Sequence, residues 1–248
     1  MSYIPLQKGI VYGPVASKRL GRSFGINLMP HGKKVCTFNC VYCFYGKTPS
    51  AEARDFPTAS EVLSAVEEKL KDVGEIDYIT FAGNGEPTLH PEFDEIVKKA
   101  RELRDRMRPS IPLALLSNSS RIMNEKVSQA LKMFELPILK LDAGDEETFH
   151  KINRPLVPIR LKEIIEGLRR LKNPVIQTVA VCGKITNTDE EQVEKWLKAL
   201  KRIDPKQVQL YTLDNPLPES EITPCSIEKL SSISLRTQRF SLPLTIYK

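Results

Sequence analysis

An α/β fold with a parallel sheet is what this sequence of 248 residues predicts. Two observations carry that expectation. Short apolar runs alternate along the chain with amphipathic stripes of period 3.6, and no low-complexity tract or linker interrupts the alternation. Strands separated by helices need right-handed βαβ crossovers, which place the strands parallel. Six such units in this length suit an incomplete barrel better than a closed eight-fold one. An open, doubly wound sheet competes with it at this stage.

The strand segments come in order as Phe24 to Met29, Asp77 to Ala82, Leu113 to Ser117, Ile138 to Asp142, Val175 to Val181 and Gln207 to Leu213. Between them run helical stripes. The first is Val62, Leu63, Val66, Leu70, and the second Phe93, Ile96, Val97, Ala100, Leu103. Then come Val127, Ala130, Leu131, Phe134, followed by Leu161, Ile164, Ile165, Leu168, Leu171, and last Val193, Trp196, Leu197, Leu200. Thr58 with Glu61, and Thr188 with Glu191, have the spacing of a capping box, which starts a helix by satisfying its free N–H groups. Hydrophobic residues make up 41% and no apolar run approaches membrane-spanning length, so a soluble, cytoplasmic protein is expected. The net charge of +6 is compatible with a nucleic-acid substrate without requiring one.

Chemistry is signalled by Cys36, Cys40 and Cys43, a C-x3-C-x2-C run. Three thiolates so close suit an iron–sulfur cluster, and three are one short of the four that a fully ligated four-iron cluster needs. One iron would then be open to a small molecule. A zinc site normally closes with a fourth ligand; His31, near in sequence, is the histidine that could complete a distorted one, while His90 and His150 lie far off. An odd total of five cysteines, and no N-terminal stretch that reads as a signal segment, argue against a disulfide framework. Cys182 and Cys225 are therefore read as small buried apolar side chains.

The polar clusters fall after successive strands, where parallel α/β folds collect functional groups. After the second strand comes Gly83-Asn84-Gly85-Glu86-Pro87, and after the third Ser117-Asn118-Ser119-Ser120. In the fourth, Lys140 and Asp142 are two apart and share a face. Directed inward they make a buried charge pair, either functional or an internal salt bridge. Gln177 and Tyr211, on the fifth and sixth strands, are candidates to line the cavity or to be hydrogen-bonded core groups. Lys18, Arg19 and Arg22, in a basic loop before the cysteines, are candidates to grip phosphate or to be a solvated basic face.

The cysteine spacing, with aromatic Tyr42 just before the last cysteine, resembles the signature of the radical S-adenosylmethionine (SAM) superfamily. The resemblance runs from about Val11 to Pro216. Together with Gly13-Pro14, Gly25-Ile26-Asn27-Leu28 and Gly85-Glu86-Pro87-Thr88-Leu89, it points to the stand-alone group related to the wybutosine-synthesis enzymes that modify tRNA. It favours the partial (βα)6 TIM-like barrel: one domain over 1–248, with a core at about 11–216 and residues 217–248 packed on it. It implies a 4Fe–4S cluster on Cys36, Cys40 and Cys43, with SAM on the open iron, and reductive cleavage to a 5′-deoxyadenosyl radical. Gly85 and Glu86 match the family's Gly-Gly-Glu-like motif, which holds the SAM amino group; Asn84 departs from it. The resemblance puts Ser117 and Asn118 near the ribose, and Lys140 and Asp142 beside the SAM carboxylate and ribose. Tyr42, Gln177 and Tyr211 join the cofactor-binding set. Electrons would come from a separate ferredoxin- or flavodoxin-type donor, and the substrate would be tRNA or a nucleotide. A glycyl-radical activase, a small-molecule radical enzyme and a non-catalytic redox sensor stay open.

Overall fold

The structure, a computed structural model, describes residues 3–215 and 221–247. β1 (Val11–Ser17) and β2 (Gly21–Ile26) form an antiparallel hairpin. The chain continues through α1 (Ala59–Asp72), β3 (Tyr78–Phe81), α2 (Phe93–Met107), β4 (Leu113–Ser117), α3 (Glu125–Leu131) and β5 (Leu136–Lys140). Then follow α4 (Glu146–Asn153), α5 (Leu161–Arg169), β6 (Val175–Gly183), α6 (Glu190–Ile203) and β7 (Gln207–Thr212). Short β8 (Ile222–Pro224), α7 (Ile227–Gln238) and β9 (Leu244–Tyr247) close the described chain. Strands β2 to β7 are parallel neighbours in chain order, β9 adds in parallel to β7, and β8 pairs antiparallel with β6.

The helices cover one face of this sheet because their apolar stripes match it. In α2 every expected stripe residue from Phe93 to Leu103 is buried, against outward-facing Phe81 and Leu115. α1 starts at the expected capping box, where Glu61 N–H donates to Thr58 Oγ1 at 3.3 Å and Thr58 N–H to Glu61 Oε2 at 2.7 Å. The other face curls inward, with Leu20, Ala114, Ile138 and Val175 packed together. Curvature shows in contacts between the two sides of the sheet. Lys18, in the β1–β2 turn, pairs with Asp214 just beyond β7 at 2.6 Å, and Arg19 stacks on Tyr211 of β7 at 4.3 Å. An open, flat sheet would hold these residues far apart. The fold is the partial barrel, with the hairpin turn lying across its lateral opening.

Several expectations need correction. The basic loop is a hairpin, and the first parallel strand begins at Gly21, earlier than expected, because β1 supplies it with an antiparallel partner. Helices α4 and α7 and strands β8 and β9 were not foreseen; α4, β8 and β9 are short, and the two strands are made by pairing with β6 and β7. The Thr188–Glu191 box does not form: Asp189 is the N-cap of α6, and Thr188 Oγ1 instead meets Thr186 Oγ1 at 2.9 Å. Cys182 and Cys225 are not simple apolar fillers. They form a disulfide, with Cα atoms 5.2 Å apart, because the β6–β8 ladder sets Cys182 opposite Thr223 and its neighbours. The expected boundary between core and extension, at 216/217, lies outside the described residues, as do residues 217–220 and 248. Among the described residues no helix is long and apolar enough to cross a membrane.

Candidate active site

The cysteine loop leaves the carboxyl end of β2 and is held by backbone hydrogen bonds to three other segments. Asn39 N–H donates to the carbonyls of Asn153 and Arg154, and Val41 N–H to that of Ile152. These are carbonyls at the carboxyl end of α4, which has no following turn to satisfy them, so the helix end and the loop complete one another. Cys36 N–H donates to Ser50 O at 3.2 Å, and Val35 bridges to Gly85. A cavity of about 140 Å³ opens against the loop, lined by Cys40, Cys43, Asn39, Lys47, Arg154 and Glu221 among others.

All three cysteines are free, and each sulfur accepts from a different side-chain N–H. Asn118 Nδ2 donates to Cys36 at 3.4 Å, Asn153 Nδ2 to Cys40 at 3.6 Å and Lys34 Nζ to Cys43 at 3.0 Å. Burial pushes the Cys36 thiol well above its ordinary value and Cys40 up to about 11, so without a cation both stay protonated at neutral pH. Among the described residues, no three His, Cys, Asp or Glu side chains form a group that could hold a single metal ion. Three soft sulfurs, each steadied by an outer N–H donor, are a donor set that fits an iron–sulfur cluster.

Lys140 and Asp142 meet inside the barrel at 3.3 Å, with side-chain exposures of 14% and 0%. The internal salt bridge weighed from the sequence exists, but Asp142 does far more than pair. Its Oδ1 also accepts from Val179 N–H at 2.9 Å, while Oδ2 accepts from Asn153 Nδ2 at 2.8 Å and from the Tyr42 hydroxyl. A carboxylate offers about four acceptor positions, and three are taken by protein hydrogen-bond donors beside the Lys140 ion pair. Asp142 therefore braces the cysteine loop through Tyr42 and through Asn153, which itself reaches Cys40. Burial is the largest influence on the Lys140 ammonium and lowers it; the charges of Asp142, Tyr211 and Cys40 together more than offset burial, so the net direction is up. Burial likewise raises the Tyr42 hydroxyl.

Glu86, which follows β3, is a comparable brace. It is 1% exposed; Oε1 accepts from Thr88 N–H, Thr88 Oγ1 and Ser117 Oγ, and Oε2 from Asn118 N–H at 2.6 Å. Burial raises its carboxyl despite these donors. Ser117 and Asn118 thus sit where expected, at the end of β4, and Asn118 carries the link onward to Cys36 and Thr37. Gly85 serves close approach: a Cβ there would fall 1.7 Å from the Val35 carbonyl oxygen. Gly85→Ala is expected to push the 33–36 segment away, destabilising the fold on the order of 1–3 kcal/mol. Urea unfolding of the metal-free protein checks this, and an unchanged midpoint would contradict it. Asn84, the departure from the motif, clamps the N-terminal segment by two hydrogen bonds to the backbone of Gln7, at 2.7 and 2.8 Å. That segment continues over the cysteine loop, with Ile4 N–H on Phe44 O.

Gln177 and Tyr211 face the same interior. Lys140 Nζ lies 3.3 Å from the Tyr211 hydroxyl, and Gln177 Oε1 accepts from that hydroxyl at 3.5 Å. Gln177 Nε2 is buried without a partner. The three basic residues separate. Lys18 pairs with Asp214; Arg22 pairs with Glu75 and Asp77, holding the Asp77 carboxyl down at about 2. Arg19 turns inward onto the Tyr211 ring, its Nε buried and unpartnered. Sequence reasoning missed Lys34 and Asn153. Lys34 lies two residues before Cys36, a proximity that hinted at it; nothing in the sequence links Asn153 to residues more than 100 positions away.

The radical SAM superfamily model matches residues 33–203, more than half of the chain and every element just described from the cysteine loop to α6. The chain belongs to the radical SAM superfamily. A UPF0026 protein of Methanocaldococcus jannaschii is 35% identical over 232 residues, which span 90% of this chain and 70% of that one. Among solved structures, a radical SAM methyltransferase from Sphaerobacter thermophilus superposes with a TM-score of 0.64 at 18% identity, covering 90% of this chain and 65% of the other. TYW1 with a lysine–pyruvate adduct bound gives a TM-score of 0.64 at 15% identity, covering 89% and 75%. These structural likenesses speak to the fold, the six-stranded partial barrel. Membership together with the fold makes this protein a radical SAM enzyme of unresolved substrate.

Proposed function

We propose that this radical SAM enzyme reductively cleaves SAM at a 4Fe–4S cluster held by Cys36, Cys40 and Cys43, and uses the resulting 5′-deoxyadenosyl radical on RNA or a nucleotide. The observation that carries the cluster assignment is the loop at the carboxyl end of β2, whose three free sulfurs each have their own N–H donor. When bound, the cluster supplies one electron to the SAM sulfonium, delivered by an external ferredoxin- or flavodoxin-type donor. The chain's own work is to hold and shield. Asp142 and Glu86 brace the loop, and the N-terminal segment covers it. Tyr42, Gly85, Ser117, Asn118, Lys140, Gln177 and Tyr211 shape the SAM side of the barrel.

The nucleotide reading is supported by Arg19, a guanidinium with an unpartnered Nε stacked on Tyr211, whose hydroxyl donates to Gln177, itself carrying an unpartnered Nε2. Such donors suit a phosphate. Lys18 and Arg22, already paired with acids, are assigned a lesser share of the grip.

Anaerobic reconstitution with iron and sulfide analysis, EPR with and without SAM, and assay for 5′-deoxyadenosine test the cluster and the cleavage. A bound cluster without SAM cleavage would favour the redox sensor. For the substrate, bulk tRNA binding is measured at two salt concentrations for wild type, Arg19→Ala and the Lys18/Arg19/Arg22 triple alanine variant. Phosphate contacts release counterions, so wild-type affinity should fall steeply with salt and both variants should show weaker binding with a shallower slope. Curves that coincide, or no tRNA binding near physiological salt, would move the assignment to an activase or a small-molecule substrate.

A further inference from the structure

Two of the strongly buried side chains are cations, Lys34 at 5% exposure and Arg104 at 4%. Arg104 has carboxylate partners in Glu135, at 3.0 Å, and Asp105, at 2.6 Å. The barrel's inner ammonium, Lys140, has Asp142 at 3.3 Å. Lys34 differs. Among the described residues its acceptors are Cys43 Sγ, at 3.0 Å, and the Gly46 carbonyl, and neither is a carboxylate. Taking an ammonium out of water without a counter-charge is strongly unfavourable. The missing negative charge has one place to come from, the sulfur side of the cysteine loop.

We propose that the counter-ion of Lys34 is the iron–sulfur cluster itself, and that Lys34 is a positioning residue which raises the cluster's reduction potential. This rests on the cluster reading above. A cluster on three thiolates is anionic and gains one further negative charge when reduced, so a fixed cation beside Cys43 stabilises the reduced form more than the oxidised one. The ammonium is buried, so salt screens it little. Asn118 and Asn153 make the corresponding contacts to Cys36 and Cys40 as neutral amides, which leaves Lys34 as the charged member of the three. Electron entry from the external donor becomes easier with Lys34 in place, independently of which substrate follows.

The test compares wild type with Lys34→Met, Lys34→Gln and Lys34→Arg, each reconstituted anaerobically, counted for iron and sulfide, and titrated without SAM while EPR follows the reduced cluster. Lys34→Met and Lys34→Gln should shift the midpoint potential to more negative values, and Lys34→Arg should stay nearest to wild type. Lys34→Gln keeps an N–H donor, so it separates charge from hydrogen bonding. If the neutral variants take up no iron while Lys34→Arg does, the requirement for a positive counter-ion stands. Wild-type potentials in cluster-loaded Lys34→Met and Lys34→Gln would overturn the inference. So would loss of iron in all three variants, which would make Lys34 a packing residue. A wild type that loads no cluster would instead remove the reading on which it rests.

Discussion

Replacing any one of Cys36, Cys40 or Cys43 with alanine is expected to reduce cluster iron to background and to abolish SAM cleavage, while the metal-free protein keeps its fold. Each sulfur has a separate side-chain donor, so each is held as a ligand in its own right. The fold should survive because the loop is held mainly by backbone bonds to α4, Ser50 and the Val35–Gly85 bridge, not by the thiols. Circular dichroism of the apo variants, beside iron and 5′-deoxyadenosine measurements, checks both halves. A variant with full iron and turnover would show that its cysteine is not a ligand.

The second large effect is expected at Asp142. Asp142→Leu leaves the Lys140 ammonium without its carboxylate, orphans the Val179 N–H and removes the shortest acceptor of the Asn153 amide. Breaking a buried pair by removing one partner costs about 3–5 kcal/mol. Adding Lys140→Met should recover some of that loss, because the stranded charge disappears with it. A double-mutant cycle by urea unfolding of the metal-free protein measures the coupling. No coupling would mean that the Lys140–Asp142 pair contributes nothing to stability. The double variant should still hold its cluster less well than wild type, since Tyr42 and Asn153 lose their common anchor.

This bears on how Asp142 and Glu86 are understood. Both were expected to touch SAM. In the structure Asp142 accepts from Val179 N–H, Asn153 Nδ2 and the Tyr42 hydroxyl beside its ion pair with Lys140, and Glu86 accepts from four donors on Thr88, Ser117 and Asn118; contact with SAM stays part of the proposal. They connect the carboxyl ends of β3, β4 and β5 to the cysteine loop, so the effect of changing them reaches the cluster as well as the SAM pocket.

What the sequence determined by itself was whatever is written in short windows. The C-x3-C-x2-C run, the 3.6-period stripes, the apolar strand segments and the Thr58–Glu61 box all involve residues within a few positions of one another, where spacing dictates which side chains share a face. A parallel α/β sheet with polar loops after its strands followed from that alternation; the choice of the partial barrel over an open, doubly wound sheet came from the family resemblance carried by the cysteine motif. Only the tertiary structure decided the rest. Tyr42 and Asp142 are 100 residues apart, Asn153 and Cys40 are 113, and Lys18 and Asp214 are 196. Such contacts depend on how the sheet curls and where α4 ends. The same holds for the Cys182–Cys225 disulfide, closed across 43 residues by a three-residue strand. Lys34 marks the dividing line: its place in the sequence is plain, but whether its ammonium meets a carboxylate or a sulfur is settled by burial, which removes water as a partner and leaves Cys43 and the Gly46 carbonyl.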